Sequence, residues 1–74
     1  MSKLPEISYR ELIRKIRKAG FVFDRQAKGS YEIWYHPEKI LRTTIPNHSK
    51  PISKTTLRAI INQIGLSIEE FNGL

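Results

Sequence analysis

Residues 28–34, with the sequence KGSYEIW, place a cation, a glycine and two hydroxyl groups at one turn. Glycine adopts positive φ without steric cost, so Gly29 and Ser30 favour a tight turn between two strands. Tyr31 then leaves this turn on the rigid backbone of a strand, which is a suitable place for a functional group. A simple hairpin whose strand starts with an aromatic residue would have the same pattern, so both interpretations stay open at this point.

The charge of the chain favours a polyanionic partner. Thirteen Lys and Arg against seven Asp and Glu give a formal net charge of +6 and a pI near 10.0. Such a field is typical of nucleic-acid binding, although an acidic protein would respond to it and many surface cations are only solvated. Phosphate contacts are expected from Arg25 and Lys28 beside the turn. Lys50 and Lys54 are expected to add contacts near the start of a later helix, where the helix dipole favours anions.

Histidine titrates near neutral pH, and the chain has two, His36 and His48. His36 lies an odd number of residues from Tyr31, so in a regular strand it points to the opposite face. His48 lies in a polar loop beside Lys50 and could approach a phosphate, although a histidine in a surface loop is often inert. The His, Asp and Glu spacings suggest no metal site, and the sequence has no Ser/His/Asp arrangement or phosphate-binding glycine loop. No cofactor is therefore expected.

Two amphipathic helices and a short third helix are predicted. Each begins at a serine that can cap its first turn, and the two main helices end at glycines suited to left-handed backbone. The capping pairs are Ser8 with Glu11 and Ser67 with Glu70, the third cap is Ser53, and the end glycines are Gly20 and Gly65. Apolar residues recur with helical spacing, which gives each main helix a stripe for a core. The stripes are Tyr9, Leu12, Ile13 and Ile16, and then Leu57, Ile60, Ile61 and Ile64.

Three strands are predicted between the main helices, over residues 21–26, 31–36 and 40–45, because β-branched and aromatic residues concentrate there. Pro46, which cannot donate to a ladder, ends the third strand. The order of elements predicts a two-layer α+β domain over residues 1–74, with both helices on one face of an antiparallel sheet. The other face stays open to RNA or to protein. Trp34 is expected in the core or at a partner interface.

The chain has no cysteine, and residues 1–5 contain no apolar signal run. No stretch approaches the ~20 apolar residues of a membrane span. These features lead us to expect a soluble, cytoplasmic protein.

Three groups of residues together match a known family pattern. They are Gly29 and Ser30 before the second strand, residues 45–48 (IPNH) with Lys50, and residues 56–60 (TLRAI) leading to residues 65–67 (GLS). On this combination the chain resembles the HicA toxin family over nearly its whole length. The resemblance implies a double-stranded-RNA-binding-domain-like fold of helix, three-stranded antiparallel sheet and helix, with a short C-terminal helix. It also implies a metal-independent endoribonuclease, or mRNA interferase, that cleaves mRNA and is held inactive by a cognate HicB-type antitoxin.

The sequence departs from the family at Tyr31, because the residue after Gly-Ser is usually a histidine that is taken to be catalytic. RNA cleavage without a metal needs a base for the 2′-hydroxyl proton or an acid for the leaving 5′-oxygen. Histidine titrates at roughly 6.5 and serves well, whereas tyrosine titrates near ~10 and is a poor base at neutral pH. Tyr31 could still donate a hydrogen bond or stack on a base. The predicted catalytic residues are Tyr31 and, as a substitute, His48; the predicted RNA-binding residues are Arg25, Lys28, Gly29, Ser30, Lys50 and Lys54.

Three explanations for Tyr31 stay open. The tyrosine is an introduced inactivating change, or it is native and acts with neighbouring cations, or the chain is a relative that only binds RNA or antitoxin. The corresponding functional alternatives are an RNA-cleaving toxin, a non-catalytic module that binds double-stranded RNA by shape, and an antitoxin-binding protein without RNA activity.

Overall fold

The computed structural model describes Leu4 and residues 6–74 and has the predicted order of elements. In chain order they are α1 (Tyr9–Lys18), β1 (Val22–Gln26), β2 (Tyr31–His36), β3 (Leu41–Pro46), α2 (Lys54–Gln63) and α3 (Ile68–Asn72). Most of the N-terminal segment predicted to lack a signal run, residues 1–3 and 5, lies outside the described residues.

All three helices begin at the predicted serines. The Oγ atoms of Ser8, Ser53 and Ser67 each accept a hydrogen bond from the backbone N–H three residues later. The predicted reciprocal bond is present at α3, where the Glu70 carboxylate accepts from the Ser67 N–H. At α1 the prediction of a full capping box was wrong, because the Glu11 carboxylate accepts from Nε of Arg14 instead. A charged guanidinium one turn away is the stronger donor, and Ser8 alone caps the helix.

The sheet is antiparallel with the strand order β1-β2-β3, so β1 and β3 are its two edges. Two strand boundaries differ from the sequence prediction. Phe21 turns into the core and leaves β1 to begin at Val22. Ile40 has a φ of 55°, outside the strand region, and β3 therefore starts one residue later than predicted. β3 also keeps Pro46, which pairs with Tyr31 at the end of an edge strand, where proline is tolerated.

The core lies between the helices and one face of the sheet, as the apolar stripes predict. Leu12, Ile13 and Ile16 of α1 and Leu57, Ile60 and Ile61 of α2 are all buried. Trp34 of β2 is only 2% exposed, which confirms a core position for it, and Phe71 of α3 closes one side. The fold is α+β and double-stranded-RNA-binding-domain-like: a helix, a three-stranded antiparallel open sheet, a second helix and a short third one. None of the helices in the described ranges is long and apolar enough to cross a membrane.

A lysine of α1 connects this helix to α3. The ammonium group of Lys15 donates to the backbone carbonyls of Phe71, Asn72 and Leu74 at 3.1–3.4 Å, and it lies 5.1 Å from the centre of the Phe71 ring. Cations at a helix C-terminus also interact favourably with its dipole. Lys15 therefore has a packing role and is not part of a free basic surface.

Candidate functional site

The turn between β1 and β2 is a well-fixed structure with an exposed phenol at its exit. Gly29 has a φ of 66°, as its position in the turn requires, and its carbonyl accepts from Nε2 of Gln26 at 3.0 Å. The Ala27 N–H donates to the carbonyl of Tyr31 at 2.7 Å, which closes the hairpin. Tyr31 is the first residue of β2 and is 49% exposed. Its side chain thus leaves a rigid backbone toward solvent, as predicted.

The loop after β3 starts beside this turn. The backbone N–H of Asn47 donates to the carbonyl of Ser30 at 2.9 Å, and its side-chain amide donates to Oε2 of Glu32 at 3.0 Å. Two hydrogen bonds from one residue therefore fix the first position of the loop against the strand that carries Tyr31. His48 follows directly and is exposed. The structure brings the His48 loop and the Tyr31 turn to one end of the sheet, although the two segments are separated along the chain by the whole of β2 and β3.

Glu32 is the centre of this arrangement and was not singled out from the sequence. The residue is 7% exposed, and its carboxylate accepts hydrogen bonds from Tyr9, Trp34 and Asn47. The Tyr9 hydroxyl donates to Oε1 at 2.5 Å, so Glu32 joins α1 to the strand and the strand to the loop. Burial, followed by the hydrogen bond to Glu32, raises the pKa of Tyr9 to about 12. The neutral phenol is thus held as a donor.

A signal for Glu32 was present in the sequence. The alternation of β2 places it on the same face as Trp34 and His36, which is the face that the helices cover. A carboxylate at such a position needs hydrogen-bond donors, because burying it without them is costly. Tyr9 and Asn47 come from distant parts of the chain, so their identity could not be found from local spacing.

His36 lies on the face opposite Tyr31, as the odd offset predicts. It is buried, its Nδ1 accepts from the backbone N–H groups of Glu38 and Lys39 at 3.2 and 3.1 Å, and its ring packs edge-on against Phe21. These contacts hold the turn between β2 and β3. His36 therefore has a structural role and takes no part in the candidate site.

The predicted phosphate-binding cations are all exposed and lie on three different segments of the chain. Arg25 and Lys28 belong to the hairpin that carries Tyr31, and Arg25 pairs with Asp24 at 2.7 Å. Lys50 shares the loop of His48. Lys54 is the first residue of α2, after the cap at Ser53. Within the described residues, no group of three or more His, Asp and Glu could hold a metal ion.

The site as a whole offers a hydrogen-bond donor, an imidazole and several cations to an anionic ligand. Tyr31 can donate a hydrogen bond or stack, the His48 imidazole can take part in a hydrogen bond, and the lysines can neutralise phosphate. The turn and the start of the His48 loop lie together at one end of the sheet. The arrangement suits a long, flexible polyanion better than a small enclosed substrate.

One comparison with known proteins identifies the family. The model of the family described as "HicA toxin of bacterial toxin-antitoxin" matches residues 9–66, from the start of α1 to the residue after the glycine that ends α2. No curated protein gives a significant match to the chain. The matched region includes the turn, Tyr31 and the His48 loop, and it covers well over half of the 74 residues. The chain therefore belongs to the HicA toxin family: it is the toxin of a toxin–antitoxin system, and an antitoxin is its partner.

Proposed function

We propose that this toxin is a metal-independent endoribonuclease that cleaves mRNA, with Tyr31 in the catalytic position. The observation that carries the proposal is the joining of two segments by Asn47: its hydrogen bonds to Ser30 and Glu32 place the start of the His48 loop against the exposed Tyr31 turn. The exposed phenol of Tyr31 and the loop that carries His48 therefore begin at the same end of the sheet.

The reaction needs a proton taken from one oxygen and a proton given to another. The ribose 2′-oxygen loses its proton and attacks the adjacent phosphorus, the bond from phosphorus to the 5′-oxygen breaks, and the leaving 5′-oxygen gains a proton. The products are a 2′,3′-cyclic phosphate and a 5′-hydroxyl end. Arg25 and Lys28 of the hairpin, and Lys50 of the loop, are proposed to neutralise the charge on the phosphoryl oxygens.

Tyr31 limits this chemistry. A phenol donates a hydrogen bond to a phosphoryl oxygen readily but accepts a proton poorly at neutral pH. We expect His48 to be the remaining proton acceptor near the site, on a loop whose first residue is fixed but whose later residues are exposed. The chain as it stands is therefore expected to cleave RNA slowly or not at all, while a histidine at position 31 restores the reaction. The proposed antitoxin is of the HicB type and holds the toxin inactive.

A second function is favoured by the fold alone. The helix, sheet and helix order is that of a double-stranded-RNA-binding domain, and such domains bind duplexes by shape and without catalysis. In that alternative the basic residues contact phosphates and Tyr31 has no chemical role.

The test is cleavage of one defined mRNA by the wild-type chain and by Tyr31→His, side by side, in EDTA and without antitoxin. We expect the histidine variant to be at least 100-fold faster, because general acid–base catalysis contributes about 10²–10⁴-fold. Tyr31→Phe is the matched control, since it keeps the ring and removes only the hydroxyl group.

The outcomes separate the alternatives. Cleavage by the histidine variant alone identifies a ribonuclease whose remaining site is intact. Cleavage at equal rates by both proteins would assign the chemistry to Tyr31 itself or to His48. Binding of RNA by both proteins with cleavage by neither would overturn the proposal in favour of the binding module.

A further inference from the structure

The face of the sheet that the helices leave open carries two tyrosines and two arginines. Alternation along β2 puts Tyr31, Ile33 and Tyr35 on this face, because Glu32, Trp34 and His36 are buried on the other. The pairing of strands adds their direct neighbours, since cross-strand partners share a face. Val22 and Arg42 lie opposite Tyr35, and Arg25 lies opposite Ile33. We give the name open sheet face to six of these residues, leaving aside Thr44 opposite Ile33 and Pro46 opposite Tyr31: Val22, Arg25, Tyr31, Ile33, Tyr35 and Arg42.

The far end of the open sheet face carries a stacked pair. The guanidinium carbon of Arg42 lies 5.6 Å from the centre of the Tyr35 ring, within the range of a cation–π contact. Arg42 is exposed and Tyr35 is half-buried. A planar guanidinium held on an aromatic ring offers a flat surface and a positive charge at one place, and nucleic-acid bases and phosphates use this combination.

We propose that the open sheet face is a binding subsite for unpaired RNA, with the Tyr35–Arg42 pair stacking on a base one or more nucleotides away from the cleaved bond. This inference rests on the proposed function, because it places the RNA relative to Tyr31. The four residue steps from Tyr31 to Tyr35 span about 13 Å of strand. That length leaves room for a nucleotide beyond the one at the turn.

The chemistry of the face selects single-stranded RNA. Stacking on a protein side chain needs a base whose flat surface is free, and in a duplex the neighbouring base pairs cover that surface. The net charge of +6 and the two arginines on the face complement a phosphate backbone. The one carboxylate of β1, that of Asp24, is bonded to Arg25 at 2.7 Å, which reduces its repulsion of an anion.

The experiment measures binding, and so it does not depend on cleavage. A fluorescein-labelled RNA of about 12 nucleotides without self-complementarity is titrated in EDTA at low salt, alone and as a blunt duplex, with fluorescence anisotropy as the readout. Tyr35→Ala and Arg42→Ala should each weaken binding of the single strand, Tyr35→Ala by about tenfold. Tyr35→Phe should bind like the wild type. Arg10→Ala, which removes an exposed cation of α1, is the matched charge control and should change the affinity less than twofold.

Four results would overturn the inference. If Tyr35→Ala and Arg42→Ala bind the single strand as tightly as the wild type, the subsite is wrong while RNA binding stands. The subsite is also wrong, while RNA binding stands, if the wild type prefers the duplex or if these variants lose only antitoxin binding. If the wild type binds neither RNA, the proposed function fails together with the subsite. If Tyr35→Ala does not fold, Arg42→Ala decides, because it changes only an exposed side chain.

Discussion

Glu32 shows how one buried carboxylate can determine the position of an exposed site. Tyr9, Trp34 and Asn47 donate to it, so α1, β2 and the loop after β3 meet at a single side chain. A fully bonded buried network of this kind restricts the backbone around it. Tyr31 is its neighbour in sequence and faces the other way. The backbone of Tyr31 is therefore held in place while its side chain stays exposed.

The Tyr9 hydroxyl should stabilise the fold at neutral pH, and this stabilisation should be lost at high pH. Its pKa is raised from 10.0 to about 12, first by burial and then by the hydrogen bond to Glu32. Because the folded-state pKa lies above the unfolded one, the stabilisation is complete below pH 10.0 and is lost as the pH rises toward 12. Tyr9→Phe should therefore lower the free energy of unfolding at pH 7 by about 1.5–3 kcal/mol, with a difference that narrows above pH 10.0.

Urea unfolding of the wild type and of Tyr9→Phe at a series of pH values measures the difference between their free energies of unfolding. A difference that stayed constant across the alkaline range would show that the hydroxyl group is not held as a buried donor. Tyr9 was expected from its spacing to be part of the apolar stripe, and the structure gives it a polar role at the edge of that stripe. Periodicity identifies the face of a helix but not the partner of a hydroxyl group.

The turns between elements depend on glycines in two different ways. Gly20 ends α1 with a φ of 98°, and a Cβ atom there would lie 2.6 Å from Nε2 of His36. The His36 ring cannot easily move, because it is buried and accepts two backbone hydrogen bonds. Gly29 has a φ of 66°, but a Cβ atom there would meet nothing within 4 Å.

Gly20→Ala should therefore be clearly more destabilising than Gly29→Ala. Gly29→Ala adds only the cost of left-handed backbone, about 1–2 kcal/mol. Gly20→Ala adds a clash with His36 as well and should cost about 3 kcal/mol or more. Thermal unfolding of the two variants beside the wild type measures both costs. Equal losses would mean that His36 gives way without cost and is not a fixed part of the turn.

The elements were largely predictable, for identifiable reasons. Serine caps and glycine ends are local signals, and Ser8, Ser53 and Ser67 all begin helices where predicted. Ile40 was assigned to a strand because β-branched residues favour strands, yet its φ of 55° belongs to the turn. The hydrogen bonds from Asn47 to Ser30 and Glu32 join segments that are distant along the chain, so local sequence patterns could not predict them.

At the scale of the whole molecule, part of the basic charge makes contacts within the fold. The α1 cations Arg14, Lys15 and Arg17 make contacts within the fold: with Glu11, with the carbonyls of α3 and with the Trp34 ring. The cations expected to bind RNA lie on the hairpin, on β3 at Arg42, in the loop and at the start of α2. The net charge of +6 thus overstates the charge available to a ligand.

Lys28 should be one of the cations that contact RNA. Lys28→Ala removes an exposed cation at the turn, and loss of one phosphate contact should weaken RNA binding and make the salt slope, d log K/d log[salt], about 0.7 less negative. Lys18→Ala, an exposed cation at the end of α1, is the control and should leave the slope unchanged. Titration of single-stranded RNA at several salt concentrations gives the slopes. An unchanged slope for Lys28→Ala would remove the turn from the RNA-binding surface.

The most direct test of the proposed ribonuclease function is the cleavage rate of a defined mRNA by Tyr31→His relative to the wild-type chain, in EDTA, with the new ends identified. We predict a rate at least 100-fold higher for the histidine variant, with 2′,3′-cyclic phosphate and 5′-hydroxyl ends. That result would show that a proton-transferring group at the exit of the turn, on an otherwise intact site, is what the chemistry requires. Failure of the folded Tyr31→His variant to cut any RNA, or products with 3′-hydroxyl ends, would contradict it.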